Sequence, residues 1–217
     1  MKVLVTGFEP FGGSAVNASW EAVRRLPDKI GGAEICKLRL PVVFGEAGAI
    51  LSRCMKEERP DAVISVGQAE GRDKITPERI AVNLRDARIP DNRGNQPQEE
   101  SVVPEGPDGI FATIPVKRIA EALRAAGIPA GVSGSAGTYV CNDVMYQALC
   151  SAGEMDSRPA AGFIHVPGLS AGENAPEEKR PGMDLDCMVR GLVIAVEEIT
   201  GYQQNPPKAL KTKDDLK

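Results

Sequence analysis

Short apolar runs that alternate with helix-like segments constrain the fold of this chain more strongly than any other feature. Residues 3–6 and 62–66 are apolar runs with β-branched residues, and each is followed by a glycine. Residues 34–40 read as a strand between them. The segments 18–26 and 42–58 have the pattern of helices, and Asn17 is predicted to cap the first of them. Strands that alternate with helices are typical of a sheet covered on both faces. We therefore predict an α/β protein, a single-domain α/β/α sandwich with a twisted, mostly parallel central sheet.

The second half of the chain departs from this rhythm. Residues 80–84 read as a strand between charged residues, which allows an antiparallel strand and a mixed sheet. Residues 90–109 carry four prolines, so they are expected to form a long loop that either covers the site or meets another subunit. Further helices are predicted over 116–126, from 140–142 onward and over 185–199, and further strands over 128–133 and 160–164.

The sequence contains no internal repeat and no clear linker, so residues 1–201 are predicted to form one catalytic domain. The polar residues 170–182 are expected to form a loop. The polar, proline-bearing tail, 202–217, is expected to be frayed or disordered.

Composition and charge argue against several classes of protein. The net charge is −4 without a basic run, which argues against nucleic acid as a partner. No apolar stretch reaches the roughly 18 residues of a membrane span, and the N-terminus does not resemble a signal peptide. Five scattered cysteines without a Cys-x-x-Cys pair favour the reducing cytoplasm over a disulfide framework. Because the chain has one histidine, a histidine-rich metal site is excluded, and we expect neither a metal nor another cofactor.

Residues 137–146 read as a loop that turns into a helix, with Cys141 at the turn. A thiol in the first turn of a helix lies beside unpaired backbone N–H groups and the positive end of the helix dipole, and both favour the thiolate. Cys141 is therefore a candidate nucleophile. The alternative is a buried core cysteine, because apolar residues follow it on one helical stripe.

The only histidine, His165, lies at the end of a predicted strand, and Cys141 lies just beyond another. Because the ends of parallel strands meet along one edge of a sheet, the two side chains are expected to lie close together. Histidine can take up the thiol proton and return it to a leaving group, provided that a third group fixes its tautomer. The candidates for that group are Glu78, Glu70, Asp86 and Asp91. A non-catalytic α/β binding protein, in which Cys141 and His165 are only structural, is the alternative.

Three segments carry the most specific motifs of the chain. They are VLVTGFEPFGG…NASWEAV, the central SVGQAEGRDKITPERIAVNLRDARIPDNRGNQP, and SAGTYVCNDVMY followed by GFIHVP. In this order and spacing they resemble the pyroglutamyl peptidase I (pyrrolidone-carboxylate peptidase) family of cysteine peptidases. The resemblance runs from residue 3 to about residue 167, and the remaining residues match only loosely.

The resemblance implies a role for each matching residue. Cys141 matches the nucleophile, His165 the general base and acid, and Glu78 the residue that orients His165. Arg88 matches an arginine that helps to stabilise the oxyanion together with the Cys141 backbone N–H. The positions that match the substrate pocket are Phe8, Phe11, Asn17, Gln68, Ile89, Tyr139, Val140 and Met145.

The implied reaction is the removal of an N-terminal pyroglutamyl residue from peptides through a thioester, by an enzyme that forms homo-oligomers, tetramers by family analogy. Pyroglutamate is a small neutral lactam, so its pocket should be mostly apolar with a few hydrogen-bond partners. Phe8, Phe11 and Met145 are suited to sandwich the ring, and Gln68 is suited to read its amide edge. A prolyl residue lacks the ring carbonyl and should be rejected because polar groups of the pocket would stay unpaired.

Two positions depart from what is common in that family. Glu70 stands where glycine is common, and it either alters the preference of a neighbouring subsite or pairs with Arg72. Tyr139 stands where phenylalanine is common, so its hydroxyl needs a partner or solvent. A nucleoside phosphorylase-like enzyme is a further alternative, but the chain has no glycine-rich phosphate loop followed by Lys-Ser or Lys-Thr.

Overall fold

A computed structural model describes residues 1–170 and 182–204 of the chain. Within these residues the elements are, in chain order, β1 (Lys2–Phe8), α1 (Ala18–Arg24), β2 (Lys29–Ile30), β3 (Ala33–Leu40), α2 (Glu46–Glu58), β4 (Ala62–Ala69), β5 (Thr76–Pro77), β6 (Ile80–Val82), β7 (Gly109–Phe111), α3 (Val116–Ala125), α4 (Val140–Glu154), β8 (Ala160–Leu169), β9 (Gly182–Met183) and α5 (Leu185–Gln204).

A mixed seven-stranded sheet forms the centre of the fold, in the order β2-β3-β1-β4-β8-β5 with β9 beside β8. The inner strands β3, β1, β4 and β8 run parallel to one another. The edge strands β2 and β5 run antiparallel to β3 and β8. The predicted α/β class with a mostly parallel but mixed sheet is therefore confirmed.

Two apolar cores lie on opposite faces of the sheet. One packs α1, α3 and α5 against the face that carries Val5 and Ile64, and the other packs α2 and α4 against the face that carries Leu4 and Val63. Neighbouring residues of β1 and β4 thus alternate between the two cores, because successive side chains of a strand point to opposite faces. This arrangement is the predicted three-layer sandwich.

The first two helices follow the predicted pattern with one shifted start. Asn17 caps α1, since its side chain accepts a hydrogen bond from the Ser19 backbone N–H at 3.0 Å. The helix predicted from residue 42 begins only at Glu46. Gly45 has a φ of 72°, a left-handed conformation that interrupts the helical path. Val42 is therefore part of a loop.

The strand predicted over 128–133 is not a regular strand. It makes only isolated parallel bridges to Ile75 and Glu78. Pro129 lacks a backbone N–H, which limits its part in a ladder. The statement that Cys141 follows the end of a strand is therefore wrong.

Two other strands differ in length or partner from the prediction. The strand predicted to end at residue 164 continues to Leu169, so His165 lies inside β8 and not at its end. Within the predicted strand 80–84, β6 pairs antiparallel with β7, which lies at the end of the predicted long loop. The antiparallel pairing is confirmed, but β6 and β7 form a separate two-stranded sheet.

The last helix is longer than predicted and runs to Gln204, so the first residues of the predicted tail are helical. The rest of that tail and most of the predicted loop 170–182 lie outside the described residues. No helix in the described part of the chain combines the length and the apolar character that a membrane span requires.

Candidate active site

Strand register and helix packing bring the predicted nucleophile and base to one face of the sheet. Phe163 and His165 are two residues apart in β8 and point to the same face, and their ring centroids lie 4.8 Å apart. Phe163 belongs to the core that packs against α4. Cys141 lies in the first turn of that helix. The thiol and the imidazole therefore share one side of the sheet.

Gly67 of β4 shows how closely the sulfur approaches the sheet. It is the register partner of His165 on the neighbouring parallel strand. A Cβ at position 67 would lie 2.9 Å from the Cys141 Sγ and 2.7 Å from the Phe163 Cζ. Because no side chain fits there, glycine is what lets the thiol lie over the strand beside His165.

Glu78 holds the imidazole from the other neighbouring strand segment. Its backbone N–H donates to the Phe163 carbonyl at 2.9 Å, which continues the antiparallel ladder between β5 and β8. Its Oε1 lies 2.7 Å from the His165 Nδ1, and the Glu78 side chain is fully buried. With the Nδ1 proton donated to this carboxylate, the basic nitrogen of the neutral ring is Nε2.

Burial and the Glu78 charge have opposite effects on His165. Burial lowers the pKa of His165 below its usual value, and the hydrogen bond and charge of Glu78 only partly offset that shift. For Glu78, burial opposes ionisation, but the hydrogen bond and charge of His165 help to hold the carboxyl pKa below its usual range. The resting pair is therefore a neutral imidazole beside an ionised carboxylate.

The thiol of Cys141 is less acidic than its place in the helix suggested. Although the residue as a whole is half-buried, its sulfur is closely surrounded, and burial raises the pKa of Cys141 to about 12. The Glu78 charge raises that pKa further, while the Arg72 charge lowers it. The expectation of a stabilised thiolate is therefore wrong, because burial outweighs the stabilisation that the Cys141 backbone N–H provides. The resting residue is a thiol that needs a base.

A small cavity of about 50 Å³ opens beside Cys141. Besides Cys141, six of the eight predicted pocket residues line it: Phe8, Phe11, Asn17, Gln68, Tyr139 and Val140. Val42 lines it as well, and sequence reasoning missed Val42 because it assigned that residue to a helix. Met145 is fully buried in the core and Ile89 is 41% exposed, and neither lines this cavity.

The two amides of the cavity wall are held in place by neighbouring groups. The Gln68 Oε1 accepts the Ala18 backbone N–H at 2.6 Å, and its Nε2 donates to the Glu70 Oε1 at 2.5 Å. A backbone N–H only donates and a carboxylate only accepts, so these partners fix the orientation of the Gln68 amide. The second Nε2 proton has no acceptor among the described residues. Asn17 is similar: its Oδ1 accepts from Ser19, one Nδ2 proton is donated to the Glu9 carbonyl at 2.9 Å, and the other has no acceptor in the described part of the chain.

The segment that carries Arg88 is anchored beside the nucleophile. The Asp86 backbone N–H donates to the Thr138 carbonyl at 3.1 Å, and the Thr138 hydroxyl donates to the Asp86 carbonyl at 2.7 Å. The Tyr139 hydroxyl donates to the Pro90 carbonyl at 3.0 Å, which supplies the partner that this hydroxyl needs. Arg88 lies between these two anchors. It is exposed, and among the described residues its guanidinium has no hydrogen bond or ion pair.

The two residues after Cys141 hold the chain that leads to Arg88. The buried Asn142 side chain accepts the Val82 N–H at 2.9 Å and donates to the Val82 and Leu84 carbonyls. The buried Asp143 forms an ion pair with Arg85 at 2.7 Å. Sequence reasoning missed these contacts, although a polar pair inside an apolar stripe was a visible signal.

The other acidic candidates have different partners. Asp91 accepts the backbone N–H groups of Phe44, Arg93 and Asn95, so it organises a loop. Asp86 is exposed and Glu70 bonds Gln68. Glu78 is thus the carboxylate that the structure brings to His165. Sequence reasoning considered Arg72 only as a partner for Glu70, and its guanidinium pairs with Glu78 at 2.7 Å.

Comparison with known proteins gives one consistent result. The family model described as pyroglutamyl peptidase matches residues 1–202. A curated relative from Thermococcus kodakarensis, named pyrrolidone-carboxylate peptidase, is 52% identical over 199 residues, which cover 92% of this chain and 96% of the relative.

Solved structures agree with the sequence comparison. The crystal structure of pyroglutamyl peptidase I from Bacillus amyloliquefaciens superposes with a TM-score of 0.86 at 44% identity, covering 92% of this chain and 97% of that chain. Pyrrolidone carboxyl peptidase from Thermococcus litoralis superposes with a TM-score of 0.89 at 39% identity, covering 97% and 98%. At these identities the likeness extends beyond the fold.

Proposed function

This chain belongs to the pyroglutamyl peptidase family, and we propose that Cys141, His165 and Glu78 are the catalytic triad with which it acts. Membership makes the protein a hydrolase and supports the removal of N-terminal pyroglutamate. The observation that carries the triad is the position of Cys141. Its sulfur lies over Gly67, the strand partner of His165, and the same residue lines the small apolar cavity.

In the first half of the reaction, sulfur replaces the peptide amine. As the Cys141 sulfur attacks the pyroglutamyl carbonyl carbon, the His165 Nε2 takes the thiol proton. The resulting oxyanion accepts hydrogen bonds from the Cys141 backbone N–H and the Arg88 guanidinium. When the tetrahedral intermediate collapses, the C–N bond breaks, His165 returns the proton to the departing amine, and a thioester is left.

In the second half, water replaces sulfur. His165 takes a proton from water as its oxygen attacks the thioester, and it gives that proton to the Cys141 sulfur when the C–S bond breaks. Pyroglutamic acid leaves with a new carboxyl group. Glu78 stabilises the imidazolium that forms twice in each cycle, since its carboxylate is buried against Nδ1.

The resting protonation states suit this sequence of steps. Burial disfavours charge on both Cys141 and His165, so the site begins as a neutral thiol beside a neutral imidazole. Charge separation then occurs only when a carbonyl carbon is present to accept the sulfur. Each oxyanion donor contributes about 3–4 kcal/mol to transition-state stabilisation if it behaves as such donors commonly do.

The cavity fits the chemistry of a small lactam. Aromatic walls, with the Phe11 and Tyr139 ring centroids 6.4 Å apart, suit a flat uncharged ring. The free Nε2 proton of Gln68 is a donor, so we assign it to the ring carbonyl. A prolyl residue lacks that carbonyl and would leave this donor unpaired, which explains discrimination between two rings of similar size.

The test is hydrolysis of a chromogenic pyroglutamyl amide, with the matching prolyl amide as the control. We expect turnover of the first substrate only, and its loss in both Cys141→Ser and His165→Ala. Mass spectrometry of the protein after rapid mixing should show the added mass of one pyroglutamyl group on Cys141. Turnover above a trace by purified Cys141→Ser would refute the nucleophile assignment.

Two further predictions, on localisation and on oligomeric state, are part of this proposal. The five free cysteines suit a reducing compartment, so we place the protein in the cytoplasm. A homo-oligomer, tetrameric by family analogy, stays a prediction that light scattering of the purified protein would test. The predicted peptide substrates are defined only by their first residue.

A further inference from the structure

We propose that Arg72 is a positioning residue of this peptidase, which clamps Glu78 in place and keeps His165 available as a base. The inference rests on the proposed triad, because Arg72 acts through two of its members. It adds Arg72 as a fourth residue to the proposed set of Glu78, His165 and Cys141.

The geometry begins with one shared oxygen. Arg72 follows the turn after β4, and its Nη1 lies 2.7 Å from the Glu78 Oε1. The same oxygen lies 2.7 Å from the His165 Nδ1. Arg72 also donates to the Thr76 hydroxyl, and Thr76 is the antiparallel register partner of His165. The guanidinium therefore ties together the two side chains of this segment that flank the imidazole.

Burial makes this contact important for Glu78. The Glu78 side chain is fully buried, whereas that of Arg72 is 30% exposed. By hydrogen-bond geometry the Glu78 Oε2 has no partner within the described residues, so both charged contacts fall on Oε1. The Ser133 hydroxyl also helps to lower the pKa of Glu78, but it carries no charge. A buried carboxylate depends strongly on its few partners, and loss of one leaves it free to rotate or to take up a proton.

The charge of Arg72 also sets the balance at His165. Within the described residues, the charged groups that act on this imidazole are Glu78 and Arg72, and the Cys141 thiol lies on the same face of the sheet, over Gly67. Burial is the main cause that lowers the pKa of His165, Glu78 raises it, and Arg72 lowers it. Without Arg72, the unbalanced Glu78 charge would stabilise a resting imidazolium, which cannot accept the thiol proton.

The experiment compares Arg72→Gln and Arg72→Lys with the intact enzyme. Arg118→Gln is the matched control, because Arg118 forms a surface ion pair with Glu198 on the other side of the sheet. Two readouts are needed: kcat and KM for a pyroglutamyl amide over a range of pH, and the titration of His165 by NMR. Since the chain has a single histidine, its imidazole signals need no assignment.

In Arg72→Gln we expect kcat at neutral pH to fall about 10- to 100-fold, as for small misplacements of a catalytic group, with KM changed by less than about twofold. The His165 titration and the acid limb of kcat should both move to higher pH. Arg72→Lys keeps the positive charge, so His165 should titrate in this variant as it does in the intact enzyme. The kcat of the lysine variant should recover in part. Arg118→Gln should change neither readout.

Two results would overturn the clamp: an Arg72→Gln enzyme with unchanged kcat and titration, or equal losses in the Gln and Lys variants without any shift in the titration. If Arg72→Gln does not fold, Arg72→Lys still tests the proposal. A clamp based on charge requires the His165 titration to be the same in the lysine variant as in the intact enzyme. Absence of turnover in the intact protein would instead overturn the proposed function. A shifted His165 titration in the same samples would still support the clamp.

Discussion

Two regions on either side of Cys141 are built in different ways. The base cluster, which we define as Arg72, Glu78 and His165, is fixed by strand register and by ion pairs, and its carboxylate is fully buried. The rim segment, residues 86–90, is held by hydrogen bonds: its two ends bond residues 138 and 139, and the backbone of Ala87 bonds residues 96–98. Its central arginine is exposed.

The difference follows from what each region must do. A base must stay at a fixed distance from the thiol, and buried charges keep that distance only when they are paired. An oxyanion donor meets its partner only after substrate has entered. Until then an exposed arginine is solvated by water, so the absence of a protein partner costs little free energy. The side chains of the base cluster should therefore affect both stability and activity, and the exposed Arg88 side chain of the rim segment should affect activity alone.

Glu78→Gln tests the first half of this comparison and should have the largest effect. The amide can still accept from the His165 Nδ1, but it loses the charge that pairs with Arg72 and stabilises the imidazolium. We expect kcat to fall on the order of 10²- to 10⁴-fold, less than in His165→Ala. We also expect the free energy of unfolding to fall by about 3 kcal/mol or less, because the remaining Arg72 is 30% exposed and can be solvated.

Thermal unfolding measured over a range of pH sharpens this test. The pKa of Glu78 in the folded chain is below its usual value, so its charge stabilises the fold above the usual carboxyl range. That stabilisation is lost as the pH falls through the lowered pKa. The difference in Tm between Glu78→Gln and the intact chain should therefore shrink at acid pH. A constant difference would contradict the ionised, paired carboxylate.

Arg88→Ala tests the second half. If Arg88 stabilises the oxyanion, its loss should lower kcat by about 10²- to 10³-fold, while Tm changes little because no described residue pairs with the guanidinium. Arg85→Ala, three residues earlier, is the contrasting variant. It leaves the buried Asp143 without its ion pair at 2.7 Å and should lower Tm clearly. Equal losses of Tm in both variants would break the distinction between the two regions.

Sequence reasoning was most successful where one signal dominates. The apolar runs of β1 and β4 and the Asn17 cap predicted the sandwich and the start of α1, because burial and capping act locally. It was less successful at Gly45, whose left-handed conformation delays α2 and places Val42 in the cavity wall. A sequence pattern does not show which glycine will adopt a positive φ.

The site shows the same limit for long-range contacts. The motifs predicted Cys141, His165 and Glu78, and the structure brings the last two into contact. The choice among four acidic residues required the register of β5 on β8, which depends on residues almost ninety positions apart. The acidity of Cys141 was predicted with the wrong sign, since the helix start is visible in a sequence and the packing around a sulfur is not.

Glu70→Gly is expected to have the smallest effect and probes the boundary between the two regions. The Glu70 Oε1 accepts from the Gln68 Nε2, and the Ala18 N–H still holds the other end of that amide at 2.6 Å. Losing this exposed, charge-assisted hydrogen bond costs about 1 kcal/mol or less, so KM for a pyroglutamyl amide should rise no more than about fivefold with kcat unchanged. Glu70→Gln keeps an acceptor oxygen, so its KM should lie between that of Glu70→Gly and that of the intact enzyme. A tenfold fall in kcat would instead mean that Glu70 belongs with the base cluster, since a residue that only orients a substrate-reading amide acts on binding and leaves proton transfer intact.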